Sequence, residues 1–177
     1  MATVLEIEVK LTFVSATEGS EERTESFDPA DSSLQSAIDE RADELLDELN
    51  EDLDEDAEEF EFVGHSIESY DTDWADPDVF DGLDEYGAYA ELVEQHGEAY
   101  HLYYDNTGNE SESSFEDAFA GSWSSFQEYA EQLIDDCYEI PDHLASYIDY
   151  EKWARDLEYD YFTCEGSDGD TYIFRNC

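Results

Sequence analysis

The stretch VLEIEVKLTFV, residues 4–14, alternates strictly between apolar and polar side chains. Because successive side chains of a β-strand point to opposite faces, this period of two predicts a half-buried strand. We therefore expect the fold to begin with a sheet that buries one face. The apolar face of the strand consists of Leu5, Ile7, Val9, Leu11 and Phe13.

The segments that follow predict a small ββαβ unit ending near residue 70. Residues 15–20 are turn-like, and residues 23–27 can pair back on the first strand as a short edge strand. A returning strand is indicated by three later apolar residues, Phe60, Phe62 and Ile67.

Between these strands, apolar residues recur three and four positions apart, which predicts an amphipathic helix. Asp31 or Ser32 is its candidate N-cap, because a short polar side chain there accepts a hydrogen bond from the first turn. The predicted apolar stripe consists of Leu34, Ile38, Ala42, Leu45, Leu46, Leu49 and Leu53.

The remainder of the chain predicts a helical middle domain, residues 71–108, and a C-terminal α+β domain, residues 109–177. The middle domain is expected to contain short helices separated by Pro and Gly, and a polar linker at residues 107–114 to follow it. With residues 1–70 as the first domain, the predicted class is α+β, a chain of three small domains.

Two helices and a hairpin are predicted in the C-terminal domain. Ser125-x-x-Glu128 forms a capping box at the start of one helix, and Asp149 caps the next. Residues 162–165 and 171–175 flank a Gly-containing turn, which predicts a closing β-hairpin.

The chain is strongly acidic: 52 of its 177 residues are Asp or Glu and six are Lys or Arg, a formal net charge of −46 at pH 7. B-form DNA carries one charge per ~1.7 Å of axis, so an equal charge belongs to a duplex roughly 80 Å long. Such a charge often indicates disorder, but aromatic residues make up 15% of the chain, and disordered acidic segments lack them. We therefore expect a folded protein with a DNA-like charge.

The first long helix is expected to hold eleven carboxylates between Asp39 and Asp56. Most form neighbouring pairs that repeat every four residues, a rise of ~6 Å, close to the spacing of phosphates along a backbone. Eight like-charge pairs four residues apart oppose this helix by roughly 2–4 kcal/mol. A solvated helix face usually mixes lysine with glutamate, so the density favours a functional row of charges.

The sequence gives no indication of a cofactor, a metal, a membrane partner or catalysis. The three cysteines are widely spaced, which favours a reducing cytoplasm over a disulfide framework or a zinc site. Residues 71–76 fail the calcium-loop template, and no run of 18 apolar residues occurs. Carboxylate pairs carry no catalytic specificity in so acidic a chain.

Two stretches in the last third are more specific: FEDAFAGSWSSFQEYAE, residues 115–131, and YIDYEKWARDL, residues 147–157. Together with the strand that contains Tyr172, they resemble the ArdA antirestriction family over about residues 80–175. The second stretch is the more specific, and the Phe-x-Asp-x-x-x-Gly pattern at 115–121 supports it.

The resemblance implies an elongated, usually homodimeric protein made by phages or mobile elements. Its family presents carboxylates in place of DNA phosphates to type I restriction-modification enzymes, with the methyltransferase core as the expected partner in the host cytoplasm. The chain is accordingly expected to bind no nucleic acid itself and not to be an enzyme.

The acids expected to bind the partner lie on the first helix and on the two C-terminal helices. Lys152 and Arg155 are expected to pair with Asp156 and Glu151, which would leave few free cations. A dimer interface is expected at an edge strand formed by Tyr172, Ile173 and Phe174. The predicted partner-binding residues are Asp39, Glu40, Asp43, Glu44, Asp47, Glu48, Glu51, Asp52, Glu55, Glu128, Glu131, Asp135, Asp136, Asp149, Glu151, Asp156, Glu158 and Asp160.

Three alternatives remain open at this point. A DNA-shaped inhibitor can equally block another DNA-reading defence system, such as a CRISPR effector. An ordinary protein adapted to high salt can have the same composition, and it would lose structure in ordinary buffer. An acidic hydrolase is the third, although no nucleophile or metal constellation supports it.

Overall fold

A computed structural model describes residues 6–30, 33–51, 53–70, 74–141, 143 and 147–176. Helices and antiparallel sheets both occur, so the predicted α+β class is confirmed. The chain forms two compact units, Met1–Gly97 and Glu98–Cys177. That residues 71–108 fold as a domain of their own stays a prediction.

The first unit contains a three-stranded antiparallel sheet in the order β2-β1-β3. Its strands are β1 (Ile7–Ser15), β2 (Gly19–Phe27) and β3 (Glu61–Ser69). The predicted alternation is confirmed, because the apolar side chains of β1 from Ile7 to Phe13 are at most 1% exposed. β2 is the predicted edge strand, longer at its start than expected, and β3 is the predicted return.

One long helix, α1 (Leu34–Glu51), packs across this sheet against β2 and β3. It buries Leu34, Ile38, Ala42 and Leu45, as the predicted stripe requires. Leu53 lies beyond the end of the helix. The candidate caps Asp31 and Ser32 lie outside the described residues.

A second helix of the first unit, α2 (Leu83–His96), packs against α1. A short 3-10 turn at Pro77–Val79 precedes it, and the ring of Phe80 lies 5.4 Å from Tyr86 between ring centroids. Gly97 ends α2 with φ +66, and its N–H donates to the Val93 carbonyl at 2.7 Å. A residue with positive φ cannot continue a right-handed helix, and glycine adopts positive φ without steric cost, so Gly97 suits this position.

The second unit has a three-stranded antiparallel sheet in the order β4-β6-β5, with helices before and between the strands. The predicted helices and the closing hairpin are confirmed. The elements of this unit are α3 (Glu98–Thr107), α4 (Glu112–Ala118), β4 (Phe119–Trp123), α5 (Phe126–Cys137), α6 (Tyr150–Leu157), β5 (Tyr161–Glu165) and β6 (Thr171–Arg175).

Part of the predicted linker at residues 107–114 is helical, which corrects the sequence analysis. Ser111 is the N-cap of α4: its Oγ accepts a hydrogen bond from the Ser114 N–H at 3.3 Å. The serine hydroxyl bonds to nearby backbone groups both in loops and at N-caps. Composition alone therefore did not distinguish a linker from the start of a helix.

β4 was also missed, because its pattern is interrupted by a bulge. The register with β6 shifts between Phe119 and Gly121, and Gly121 has φ +106. A Cβ on Gly121 would lie 3.1 Å from the indole nitrogen of Trp123. The glycine of the 115–121 motif thus has a structural role.

β6 is the central strand of its sheet, so the prediction that Tyr172, Ile173 and Phe174 form an edge strand is wrong. Ile173 and Phe174 are both fully buried, although neighbouring strand residues point to opposite faces. Ile173 belongs to a cluster with residues of α5 and α6, whereas Phe174 lies against Tyr103 of α3 and Phe115 of α4. Helices cover both faces of the strand.

The two C-terminal helices begin as predicted. Ser125 accepts from the Glu128 N–H at 3.2 Å, and Asp149 accepts from the Lys152 N–H at 3.0 Å. The return bond of the capping box differs, because Glu128 accepts from the N–H of Ser124 instead of Ser125. Cys137, the last residue of α5, is exposed.

Candidate functional site

A long row of charge in the first unit lies on the outer face of α1. All seven carboxylates on that helix are exposed, and most of them lie on the side away from its buried stripe. Of the other predicted acids nearby, Glu55 is exposed in the turn after α1, and Asp52 lies outside the described residues. We call the seven the α1 acidic face: Asp39, Glu40, Asp43, Glu44, Asp47, Glu48 and Glu51.

The spacing of the α1 acidic face approaches that of one DNA strand. Seven carboxylates and one arginine occupy twelve helical steps, ~18 Å, which leaves about one net charge per 3 Å. A single strand of B-form DNA carries one per 3.4 Å. Each step of four residues turns about 40° beyond a full turn of the helix. The row of carboxylates therefore winds around the helix in a right-handed sense, as a DNA strand does around its axis, but it turns less per ångström.

Arg41 is the one cation on α1, and it is tied to acids on both sides. Its guanidinium lies 2.8 Å from a carboxylate oxygen of Glu44 and 3.3 Å from one of Glu25 on β2. The hydrogen bonds that Arg41 donates to Glu44 and Glu25 raise its pKa. Arg41 therefore joins the helix to the sheet edge, and Glu44 is partly neutralised.

The other two cations of the first unit also have carboxylate partners. Lys10 lies 2.9 Å from Glu68 across the β1–β3 pair, and its hydrogen bond lowers the pKa of the Glu68 carboxyl. Arg23 pairs with Glu21 on the same strand. Arg23 also lines a cavity with Glu48 and Leu45, so the α1 acidic face is bordered by Arg23 as well as by Arg41.

Three exposed acids on α2 were missed by the sequence analysis. Asp84, Glu91 and Glu94 recur at helical spacing opposite the buried Tyr89 and Val93. Their helical spacing is visible in the sequence, but the tyrosines of this segment indicate its buried face more strongly than the acids indicate its exposed face.

The predicted acids on α5 are mostly engaged with neighbours. Glu128 caps its own helix, as described above. Gln127 donates to Glu131 at 2.8 Å, and Gln132 donates to Asp136 at 2.9 Å. Asp135 is exposed.

The predicted acids on and after α6 are all exposed. Asp149 is also the cap of that helix, and Glu158 and Asp160 lie on a 3-10 turn that follows it. Glu151 and Asp156 lie along the helix itself.

The predicted pairing of Lys152 and Arg155 is wrong. Neither lies within 4.0 Å of a carboxylate oxygen anywhere in the part of the chain that the structure describes. Both are exposed, and a long surface side chain loses entropy when it is held in an ion pair. α6 therefore presents cations as well as acids.

Charge is concentrated on these faces. The chain exposes 11,088 Å², so its 46 net charges average about one per 240 Å². A duplex carries about one per 110 Å². The average over the whole surface is therefore less than half the density of a duplex.

Other kinds of site find little support. Across the described ranges, no three His, Cys, Asp or Glu side chains are grouped so as to hold a metal ion. Burial lowers the pKa of His101 and raises that of the Cys164 thiol. None of the described helices has the length and apolar character needed to cross a bilayer.

Comparison with known proteins gives one result. The family model described as antirestriction protein (ArdA) matches residues 33–169, more than three quarters of the chain. The match begins just before α1 and therefore includes the α1 acidic face as well as α5 and α6. No curated protein matches the sequence significantly.

Proposed function

Because the chain belongs to the ArdA family of antirestriction proteins, we propose that it inhibits a restriction-modification enzyme by presenting carboxylates where duplex DNA presents phosphates. The observation that carries this proposal is the α1 acidic face. Its net charge of about one per 3 Å lies close to that of one DNA strand.

The physical basis of inhibition is occupation of a basic groove. A DNA-binding groove is lined by Lys and Arg that neutralise phosphates. The same side chains neutralise carboxylates at similar spacing, so the chain and DNA compete for one surface. Association between surfaces of opposite charge is fast and sensitive to salt.

The proposed target is the methyltransferase core of a type I restriction-modification enzyme, which reads duplex DNA before cleavage or methylation. The proposed contact residues are the exposed acids of α1, together with Asp135, Glu151, Asp156, Glu158 and Asp160. Glu128 and Asp149 serve their own helix ends and contribute less.

We expect a duplex carrying the recognition sequence to displace the chain from the methyltransferase core. Both ligands neutralise the same cations, so raising the duplex concentration should raise the apparent Kd of the chain in proportion. Fluorescence anisotropy with labelled chain measures this. A ternary complex formed without loss of affinity would show that the inhibitor acts elsewhere, and loss of helical structure in ordinary buffer would favour adaptation to high salt.

We also propose that the chain is a homodimer, and we expect its self-association to weaken at low ionic strength. Two chains of −46 repel one another, and lowering the salt lengthens the range of that repulsion. Sedimentation at micromolar concentration over a salt series measures the effect. Only monomer at physiological salt would contradict the dimer.

A further inference from the structure

One exposed aromatic side chain on the second unit has no role in its core. Tyr159 is 82% exposed and lies on the 3-10 turn Glu158–Asp160, between α6 and β5. The carboxylates of Glu158 and Asp160 on either side of it are exposed as well. The ring is therefore open to a partner, and two acidic residues adjoin it in the sequence; the nearest cation along the chain is the exposed Arg155, which lines a cavity with Glu158.

The turn that carries Tyr159 is fixed by its backbone. The N–H of Asn176 donates to the Asp160 carbonyl at 2.9 Å, and the Asn176 side-chain amide donates to the Tyr159 carbonyl at 3.1 Å. The next residue, Tyr161, begins β5 and bonds through its hydroxyl to that of Tyr129 at 2.9 Å. Little entropy remains to be lost at this backbone when a partner binds.

The combination selects for a guanidinium group. The face of a tyrosine ring attracts a cation, more often arginine than lysine. Arginine is planar and weakly hydrated, so it can stack on the ring while its N–H groups bond to a carboxylate. A DNA backbone offers phosphates but no aromatic face beside them.

We propose that the Tyr159 turn binds an arginine of the target protein, with the ring stacked on the guanidinium and Glu158 or Asp160 paired with it. This inference rests on the proposed function, because it assumes a partner with a basic surface. It adds a contact whose strength is concentrated in one side chain, unlike the extended charge of α1. Tyrosine and arginine are the side chains most often found at such concentrated contacts.

The test compares three variants for binding to a type I methyltransferase core over a salt series. Tyr159→Ala should weaken binding about tenfold, and Tyr159→Phe should bind like the parent because the ring face remains. Tyr147→Ala is the matched control: Tyr147 is 84% exposed at the other end of α6, with no acid directly beside it in sequence. The control should bind like the parent.

The salt dependence separates this contact from the charge field. Removing a neutral ring should leave the slope of log Kd against log salt unchanged, whereas removing acids should flatten it. Equal losses for Tyr159→Ala and Tyr147→Ala would overturn the inference, and so would a Tyr159→Ala variant that bound like the parent. A Tyr159→Ala variant impaired only in self-association would overturn it in favour of a second copy. A parent chain that failed to bind the core would instead overturn the proposed function.

Discussion

Replacing Phe174 with alanine is expected to lower the free energy of unfolding of the second unit by about 3–5 kcal/mol. Phe174 is fully buried on the central strand β6, and its ring centroid lies 4.9 Å from Phe162 and 5.5 Å from Phe119. Truncation removes these contacts and leaves a cavity that helices on one face and strands on both sides cannot easily fill. Denaturant unfolding followed by near-ultraviolet circular dichroism measures the loss.

Tyr147→Ala is the control for this experiment, since it removes an exposed aromatic ring from the same unit. Its effect on stability should stay within about 0.5 kcal/mol, as for other exposed positions. A Phe174→Ala variant as stable as the parent but unable to self-associate would restore the dimer interface at residues 172–174 that the strand order argues against.

Neutralising a block of the α1 acidic face is expected to weaken target binding by about 100-fold, at roughly 0.7 kcal/mol for each of four lost charge pairs. The best block is Asp43, Asp47, Glu48 and Glu51, all changed to glutamine, because Arg41 already neutralises part of Glu44. Any one of these changes alone should have little effect. The salt dependence of binding should flatten for the block.

The same block is expected to stabilise the helix. Four like-charge pairs within α1 disappear, at about 0.2–0.5 kcal/mol each, and glutamine forms helices well. Thermal unfolding should therefore occur at a higher temperature while affinity falls. These opposite changes separate a functional row of charges from a solvated face.

The matched control exchanges Asp and Glu at the same four positions, which keeps every charge. That variant should bind nearly as the parent does. If the glutamine block bound as tightly as the parent, α1 would have no part in binding, and the site would move to the acids on α5, on α6 and on the turn after α6.

Sequence patterns predicted the elements whose periodicity is unbroken. The alternation of β1 and the apolar stripe of α1 are long and regular, and the tertiary structure agrees with the secondary structure that these patterns predict. β4 is five residues long and its bulge at Gly121 breaks the period, so it was missed. The position of β6 was also missed, because five residues cannot indicate whether one neighbour or two will pair with them.

Side-chain contacts between residues close in sequence were also predicted better than contacts between distant residues. Helix caps involve residues three apart, and both Ser125 and Asp149 were predicted from the sequence. Arg41 reaches Glu25, sixteen residues away, and no local pattern indicates that pair. Conversely, helical spacing suggested that Arg155 pairs with Glu151, but these two exposed side chains form no ion pair.

The place of β6 in the chain has a consequence for synthesis on the ribosome. Every element of the first unit has been made once Gly97 is added, so that unit can fold while the rest is still being translated. In the sheet of the second unit, β6 lies between β4 and β5 and is made after both. Until Thr171–Arg175 emerges, Phe115, Phe119 and Phe162 lack the strand that buries them. A nascent chain paused before that point therefore exposes apolar surface in an otherwise highly charged polypeptide, and is the form most in need of a chaperone.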